Sequence, residues 1–486
     1  MRDTLNILFL AAEAEPYVKI GGLADVAGSL PLALRSLSAQ AGQGMKLDVR
    51  LVLPLYRFIQ AESALLRPLA EFSVYRRGGN VPARVFEMTR AGMPVYFIAG
   101  EPFSNAASVY SQDPAQDREK FTFFSLAVLE MLRSMDWQPD IIHANDWHTA
   151  LALFALRSRR TDPAVNHMRS VLTLHNLAYM GGDGTDVLAA YGLDPADDEA
   201  LPGWARTQPL PLGLWAADAV VPVSPTYARE ILTPELGCGL DAFLRSRSDG
   251  ITGILNGLDL AAWDPETDKS LPANFNVMDL AGRAANKAAL QSQLGLKEET
   301  RIPILAMIGR IDPQKGVDII IDMLRRMTDV PWQFIILGSG DPILENAVRN
   351  LQIEFPERAR AVIRYDPQLS RLLYGAADMF LMPSRYEPCG LAQMIAMRYG
   401  CVPVVHATGG LKDTVHEGKT GFLFQAVESG SMLEALRRAL AVYASPEKWA
   451  RFQYNGMLED FSWSRSAEQY AGLYRSLLQV ENEERI

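Results

Sequence analysis

Glycine pairs at the start of two helical-looking segments suit the binding of phosphate groups. Lys19 stands shortly before Gly21 and Gly22, and Gly409 and Gly410 repeat the arrangement later in the chain. Bare backbone N–H groups at a helix start attract an anion, and a neighbouring lysine adds positive charge. Alone, such a glycine turn is more often only a turn. Because it occurs twice, the sequence predicts two phosphate cradles.

A basic pair suits the same chemistry. Arg310 and Lys315 lie five residues apart in a loop that Gly316 closes. A forked guanidinium and an ammonium there could bind one diphosphate. The alternative for this pair is a solvated basic loop.

Glu387 follows the apolar run 379–382 and lies between Tyr386 and Pro388. A carboxylate at such a place is costly unless it is paired, bound to a ligand or used in chemistry. We therefore favour a functional role for Glu387. Cys389 could be a nucleophile, but no histidine is near it in sequence, so a packed thiol is the preferred interpretation.

Histidine and aspartate residues form a further group: His143, Asp146, His148 and His175. Their spacing matches no usual zinc pattern, so polar contacts to a substrate are favoured over metal binding. The chain also contains no Asp-x-Asp motif, which many metal-dependent sugar transferases use to hold a diphosphate. We expect no cofactor and no metal, and the basic residues and helix starts would carry the anion instead.

These residues follow short apolar runs that read as strands buried on both faces, in two successive series separated by helical segments. The first series is 6–11, 49–53, 95–98, 141–143, 171–174 and 219–223, and the second is 304–308, 334–337, 361–363, 379–382 and 402–405. Ligands of open parallel sheets bind beyond the carboxyl ends of the strands. The expected fold class is α/β, with two Rossmann-like, doubly wound parallel-sheet domains.

The two series of predicted strands set the expected domain boundaries. We expect an N-terminal domain at 1–250, a C-terminal domain at 251–463, and a terminal helix at 464–486 that packs on the N-terminal domain. The turn-rich segment 249–279 is the candidate hinge.

Composition limits the function classes. The 486 residues include 47 Lys and Arg against 57 Asp and Glu, a net charge of −10, and no basic block stands out. Binding to nucleic acid or to an anionic membrane is therefore not expected. Three isolated cysteines and the acidic residues after the first apolar run favour a cytoplasmic protein without a signal peptide.

Taken together, these motifs resemble those of the bacterial glycogen synthases and the related plant starch synthases. The resemblance runs nearly end to end, through segments 19–26, 145–148, 175–176, 223–228, 253–259, 309–316, 387–391 and 408–411. It implies a GT-B fold, with the active site in a cleft between two Rossmann domains that must close to assemble it. It also implies transfer of glucose from ADP-glucose to the non-reducing 4-OH of an α-1,4-glucan such as glycogen, with retention of configuration.

The family pattern also implies individual roles. Catalytic positions would be Asp146 and His175 on the donor sugar, Arg310 and Lys315 on the distal phosphate, and Glu387 on sugar hydroxyls. Donor-binding positions would be Lys19, Gly21 and Gly22 near the diphosphate, Asn256 near the sugar, Tyr365 stacked on adenine, Cys389 and Gly390 lining the sugar pocket, and Thr408 and Gly409 beside the phosphates. The chain departs from the usual pattern at Ile20, Met180, Leu236, Ala392 and His406-Ala407.

Without a convincing nucleophilic carboxylate, we favour front-face retention, in which the departing diphosphate takes the acceptor proton. Three alternatives remain at this point. They are a GT-B transferase that uses UDP-glucose or builds another product, such as a sucrose-synthase-like enzyme, a glucan-binding protein without catalysis, and a phosphorylase. The phosphorylase needs pyridoxal phosphate on a lysine, and no segment matches that requirement.

Overall fold

A computed structural model describes residues 4–40, 46–59, 65–162 and 165–484. The chain forms two compact units: unit 1 comprises Met1–Gly257 and Trp463–Ile486, and unit 2 comprises Leu258–Ser462. The first boundary therefore falls after Gly257, inside the turn-rich segment 249–279, rather than after residue 250. The outermost residues of the expected first and last elements, 1–3 and 485–486, lie outside the described residues.

Unit 1 is built on an eight-stranded sheet with the order β3-β4-β5-β2-β1-β6-β7-β8. The strands are β1 Thr4–Leu10, β2 Lys46–Pro54, β3 Arg67–Val74, β4 Val81–Arg90, β5 Met93–Gly100, β6 Ile141–Asn145, β7 Arg169–Leu174 and β8 Ala219–Pro222. Each apolar run of the first predicted series coincides with one of these strands, and the runs 6–11 and 219–223 extend one residue beyond theirs. The central strands β1, β6 and β7 are buried along most of their length, which explains their continuous apolar character.

One edge of the sheet in unit 1 is antiparallel, a feature that the apolar runs did not predict. Strand β4 pairs antiparallel with both β3 and β5. Along β4, buried and more exposed residues largely alternate, so the strand lacks the continuous apolar run used to find the others. An edge hairpin with one face toward solvent needs only that alternation.

Unit 2 contains a six-stranded sheet with the order β11-β10-β9-β12-β13-β14, and every described pairing in it is parallel. Its strands are β9 Ile304–Ile308, β10 Gln333–Gly338, β11 Ala359–Ile363, β12 Met379–Met382, β13 Val402–His406 and β14 Phe422–Phe424. Strand β14 was not predicted, because three residues are too few to show a pattern.

Helices connect the strands of both units. They are α1 Gly22–Gln40, α2 Glu101–Ser104, α3 Pro114–Arg133, α4 Asp146–Ser158, α5 Thr185–Ala190, α6 Pro209–Ala216, α7 Pro225–Glu230, α8 Asp241–Ser246, α9 Gly282–Gln293, α10 Val317–Arg326, α11 Pro342–Glu354, α12 Pro367–Ala376, α13 Ala392–Arg398, α14 Gly409–Thr414, α15 Ser429–Tyr443, α16 Pro446–Met457 and α17 Trp463–Glu484. Three of them, α3, α11 and α12, begin with an Asp-Pro pair, in which the aspartate caps the backbone N–H groups and proline presets the first helical turn.

Helix α17 completes the core of unit 1. Its buried residues pack in one cluster with the apolar face of α1 and with strand residues of the sheet. Among the described residues, no helix is long and apolar enough to cross a membrane.

A buried polar network joins α17 to the sheet. His143 Nδ1 lies 2.6 Å from the hydroxyl of Tyr474, and His143 Nε2 lies 2.7 Å from Thr173 Oγ1. Burial, with a contribution from His175, lowers the pKa of His143 to about 3, so the ring is neutral. The interpretation of His143 as a substrate contact is therefore wrong. This residue belongs to β6 itself rather than to the loop that follows it.

We predict that Tyr474→Phe lowers the free energy of unfolding by about 1–3 kcal/mol, because the buried His143 Nδ1 loses its partner. Urea denaturation of both proteins measures the difference. The exposed Glu468 lies on the same helix, and Glu468→Ala should change stability by no more than about 0.5 kcal/mol. Equal effects of the two substitutions would contradict the prediction.

Candidate active site

In unit 2, the loops after β9 and β12 meet because these strands are neighbours in the sheet. Lys315 ends a 3-10 turn after β9, and its Nζ lies 2.6 Å from Oε2 of Glu387, which follows β12. Ser384 Oγ donates to the same oxygen at 2.9 Å. Because Glu387 is only 6% exposed, its charge depends on these donors. In this structure the predicted phosphate lysine pairs with the predicted sugar-binding carboxylate.

The turn that carries Lys315 is set by its neighbours. Asp312 Oδ1 accepts from the backbone N–H of Lys315 at 3.1 Å. Gly316 adopts φ 70°, and a Cβ there would lie 2.2 Å from the carbonyl oxygen of Pro383. Any other residue would push the turn away from the segment that leads to Glu387.

Arg310 takes a different position from Lys315. Its guanidinium forms an ion pair with Asp312 at 2.7 Å and donates to Gln314 at 3.1 Å, while its side chain is 56% exposed. A guanidinium has five N–H donors, so these two contacts do not use all of them, and the exposed group is accessible to an anion in solvent. Lys315 likewise keeps further N–H donors, since an ammonium has three.

The second glycine pair packs against the Glu387 segment through backbone alone. A Cβ on Gly409, which has φ 44°, would lie 1.9 Å from the carbonyl oxygen of Glu387, and one on Gly410 would lie 2.0 Å from that of Cys389. The N–H of Gly410 donates to the carbonyl of Glu387 at 3.0 Å. The cradle predicted at the start of α14, preceded by the buried Thr408, is thus joined to the predicted sugar pocket.

The side chain of Gln393 holds the backbone of Cys389 and Gly390 by hydrogen bonds. The Gln393 Nε2 donates to the carbonyls of Cys389 at 3.2 Å and Gly390 at 2.9 Å. The Cys389 thiol is buried, as expected for a packed residue. Tyr365, beyond β11, is 82% exposed, so its ring is available to stack on a ligand.

In unit 1, a carboxylate of the protein itself, that of Glu13, occupies the first glycine loop. The carboxylate of Glu13 accepts from the N–H of Gly21 at 3.1 Å and from that of Ile20, and also from the hydroxyl of Tyr110 at 2.9 Å. Burial raises the pKa of Glu13 above its ordinary value, although these hydrogen bonds lower it. From the sequence, we expect these backbone N–H groups to be bare. In the structure they donate to Glu13. Gly22 begins α1 directly after them.

Lys19 is paired with two carboxylates. Its Nζ lies 2.6 Å from Asp25 and 2.9 Å from Glu15. Although partial burial opposes the charged form, the hydrogen bonds and charges of Asp25 and Glu15 raise the pKa of Lys19. The lysine is therefore a cation at neutral pH, half surrounded by negative charge.

Asp146 has the most unusual backbone among these residues. It begins α4 with φ 52°, a conformation that few residues other than glycine adopt. Its Oδ1 accepts from the N–H of His175 at 2.7 Å, which ties the loop after β6 to the loop after β7. Burial raises the pKa of Asp146 to about 7, with a further contribution from Glu13 and against the hydrogen bonds from His175 and Asn176.

His175 is oriented by Asn145. The Nε2 of His175 lies 2.9 Å from Oδ1 of Asn145, whose own Nδ2 donates to the carbonyl of Leu10. An amide oxygen only accepts, so Nε2 carries the proton and Nδ1 is left as an acceptor. Burial lowers the pKa of His175 to about 3, so the ring is neutral.

Asn256 lies at the end of unit 1, and its Oδ1 is buried without a hydrogen-bond partner within the described residues. A buried amide oxygen of this kind is a ready acceptor for a ligand hydroxyl.

The structure gathers the site residues of each unit at the carboxyl ends of its strands. In unit 2, Lys315, Glu387, Cys389, Gly390 and Gly409 come together; in unit 1, Asp146 and His175 do, and Glu13 links the glycine loop to Tyr110. Residues to which sequence reasoning gave no role of their own are Tyr110, Asn145, Ser384 and Gln393. Of these, only Asn145 and Ser384 could have been found from position, since they stand at or directly after strand ends. Within the described ranges, no group of three His, Cys, Asp or Glu side chains is arranged to bind a metal.

Comparison with known proteins shows which family this chain belongs to. Residues 6–246 match the family model described as the starch synthase catalytic domain, and residues 289–456 match the model of glycosyl transferases group 1. A glycogen synthase of Anaeromyxobacter sp. (strain Fw109-5) is 43% identical, covering 97% of this chain and 99% of the relative. A glycogen synthase of Syntrophotalea carbinolica is 39% identical, covering 98% and 100%.

Solved structures agree with these matches. The catalytic domain of starch synthase IV from Arabidopsis thaliana, bound to ADP and acarbose, is 35% identical with a TM-score of 0.87, covering 98% of this chain and 100% of that one. Sucrose-phosphate synthase from Thermosynechococcus elongatus, 20% identical with a TM-score of 0.61, shares the fold. The prediction of an α/β chain with two parallel-sheet domains, as in a GT-B fold, is confirmed.

We predict that Asp146→Asn changes the pH dependence of stability. Since folding raises the pKa of Asp146 from its ordinary 3.8 to about 7, the buried acid favours the native state below pH 4, and this contribution is lost as the pH rises to 7. The free energy of unfolding of wild type, relative to Asp146→Asn, should fall by up to about 1.4 kcal/mol per pH unit in that window.

Asparagine is a matched replacement, because it tolerates positive φ and keeps an oxygen for the N–H of His175. Urea denaturation at pH 5, 6, 7 and 8 gives the comparison. A stability difference that is the same at all four values would show that Asp146 does not titrate there.

Proposed function

This chain belongs to the glycogen and starch synthase family of glycosyltransferases, and on that premise we propose that it transfers glucose from ADP-glucose to the non-reducing 4-OH of an α-1,4-glucan, with retention of configuration. A glucan primer such as glycogen is the proposed acceptor.

The observation that carries the proposal is the contact between Lys315 and Glu387 beside the glycine turn at Gly409. It places a cation, a buried carboxylate and a close backbone turn at one sheet edge, which suits a sugar attached to a diphosphate. In the proposal, Glu387 accepts hydrogen bonds from sugar hydroxyls, while Arg310 and Lys315 donate to the distal phosphate.

Adenine as the donor base is supported by two observations. The ring of Tyr365 is exposed and could stack on a base, and the related Arabidopsis structure contains ADP. We propose that Thr408 and the start of α14 lie beside the phosphates, with Cys389 and Gly390 against the sugar.

In unit 1, we propose that Asp146 and His175 contact the donor sugar. The neutral His175 has its Nδ1 available as an acceptor for a sugar hydroxyl, because Asn145 takes the Nε2–H. Asn256 would accept a hydrogen bond near the same sugar through its buried oxygen. Lys19 and the loop at Gly21 and Gly22 would approach the diphosphate. Since Glu13 occupies the N–H groups of Ile20 and Gly21, Lys19 would have to exchange a carboxylate partner, Glu15 or Asp25, for the phosphate.

The proposed reaction follows the front-face route. The bond between sugar C1 and the diphosphate oxygen breaks, and the bond from C1 to the acceptor O4 forms on the same face. The proton of the 4-OH passes to the departing diphosphate. Negative charge grows on that group, and Arg310 and Lys315 stabilise it more in the transition state than in the ground state. No metal or cofactor is assigned a role in this proposal.

We predict primer-dependent release of ADP from ADP-glucose that collapses in both Lys315→Ala and Glu387→Ala. Loss of one preorganised charged partner costs about 10²–10³ in kcat. The measurement compares ADP and UDP released from the two glucose donors, with and without glycogen. Preferential release of UDP would keep the family and contradict the proposed donor.

A matched control is Lys419→Ala, which removes a lysine from an exposed ion pair with Glu459 in the same unit. Its activity should equal that of wild type. Product configuration is read by proton NMR of the extended glucan, where a β-linkage would contradict retention. Glucan binding without turnover of either donor would favour a non-catalytic role.

We also predict that EDTA leaves the transfer rate unchanged, because arginine and lysine balance the diphosphate charge in the proposed site. The assay is ADP release after dialysis against EDTA, with and without added Mg²⁺. A loss of activity that Mg²⁺ restores would contradict the prediction.

A further inference from the structure

His406 stands at the end of β13, and its ring lies between two carbonyl groups. Nδ1 is 2.7 Å from the carbonyl oxygen of Ser384, and Nε2 is 3.1 Å from that of Gln425. The residue is buried, and its ring also packs near Phe424. The ring therefore bridges the segment after β12 and the segment after β14.

The shorter contact defines where the ring must donate. A carbonyl oxygen only accepts, so a ring nitrogen 2.7 Å from one has to carry a proton. Nδ1 has the closer acceptor, so it carries a proton whether the ring has one N–H or two. The geometry thus assigns an N–H donor to Nδ1, directed at Ser384.

Ser384 is the residue that reaches Glu387. Its hydroxyl donates to Glu387 Oε2 at 2.9 Å, on the oxygen that also receives Lys315. The other side of this segment is held by the turn before α10, since the N–H of Arg385 donates to the carbonyl of Gln314 at 2.8 Å. His406, at the end of β13, makes a second contact with this segment, at the carbonyl of Ser384.

We propose that His406 is a positioning residue for the transfer reaction. Its Nδ1–H fixes the backbone of Ser384, and Ser384 in turn fixes the carboxylate of Glu387 in the orientation that receives the donor sugar. The proposal rests on the proposed function, because it assigns Glu387 to the sugar. It does not require His406 to contact any substrate.

Two substitutions separate the two ring contacts. His406→Asn keeps an amide nitrogen at the place of Nδ1, whereas His406→Gln keeps one at the place of Nε2. We expect His406→Asn to retain kcat within about threefold and His406→Gln to lose about tenfold or more, because only His406→Gln leaves the carbonyl of Ser384 without a donor from this side chain. Both variants lose one of the two contacts, so their thermal midpoints should fall by similar amounts.

Equal kcat values for the two variants, at equal thermal midpoints, would overturn the proposal. The wild-type ring gives a second test that does not depend on a variant that folds. Nitrogen-15 NMR of histidine-labelled protein, with the His406 signal assigned by its loss in His406→Asn, reports which ring nitrogen is protonated. A protonated Nδ1 is expected, and an unprotonated Nδ1 would overturn the assignment.

The two proposals fail in different ways. If the wild-type chain transfers glucose from neither ADP-glucose nor UDP-glucose, the proposed function falls. The NMR signal then still decides whether His406 holds Ser384. Calorimetry with ADP-glucose, compared with ADP, would in that case show whether His406→Gln weakens sugar binding relative to His406→Asn. Equal affinities would overturn the positioning role.

Discussion

A buried carboxylate needs donors, and this requirement organises both units around their glycine turns. In unit 1, Glu13 draws the N–H groups of Ile20 and Gly21 and the hydroxyl of Tyr110 into one cluster. In unit 2, Glu387 gathers the ammonium of Lys315 and the hydroxyl of Ser384. Removing water from either carboxylate is costly, so the surrounding loops must converge on it from several strands. The convergence fixes the shape of the sheet edge before any ligand binds.

Close backbone contacts also constrain these sheet edges in both units. Gly316 and Gly409 both adopt positive φ and lie so close to a neighbouring carbonyl that a side chain has no room. Asp146 adopts positive φ without being a glycine, which stores strain at the start of α4. Its bond to the N–H of His175 and the packing around it hold this conformation in place. Strain and close approach therefore occur where residues from different strands have to meet.

Much of the fold was accessible from the sequence, because central strands buried on both faces must be continuously apolar. The edge hairpin β3-β4 and the short strand β14 were not predicted, because alternating burial and a strand of three residues leave weak signals in the sequence. The sequence also pointed to Lys315 and Glu387 separately. Their pairing could not be foreseen, because they are 72 residues apart and meet only when β9 and β12 are adjacent. The contact of Tyr110 with Glu13 likewise depends on a loop path with no motif of its own.

Helix α17 has a consequence for how the chain is made. Unit 2 is one uninterrupted stretch, Leu258–Ser462, whereas unit 1 is interrupted by it and closes only with α17. The apolar face of α1 is synthesised well before its partner on α17, which emerges more than four hundred residues later. On the ribosome, unit 2 can finish its core while that early face is still uncovered. An exposed apolar face is prone to aggregation, so a chaperone that covers α1 during translation would protect the unfinished unit.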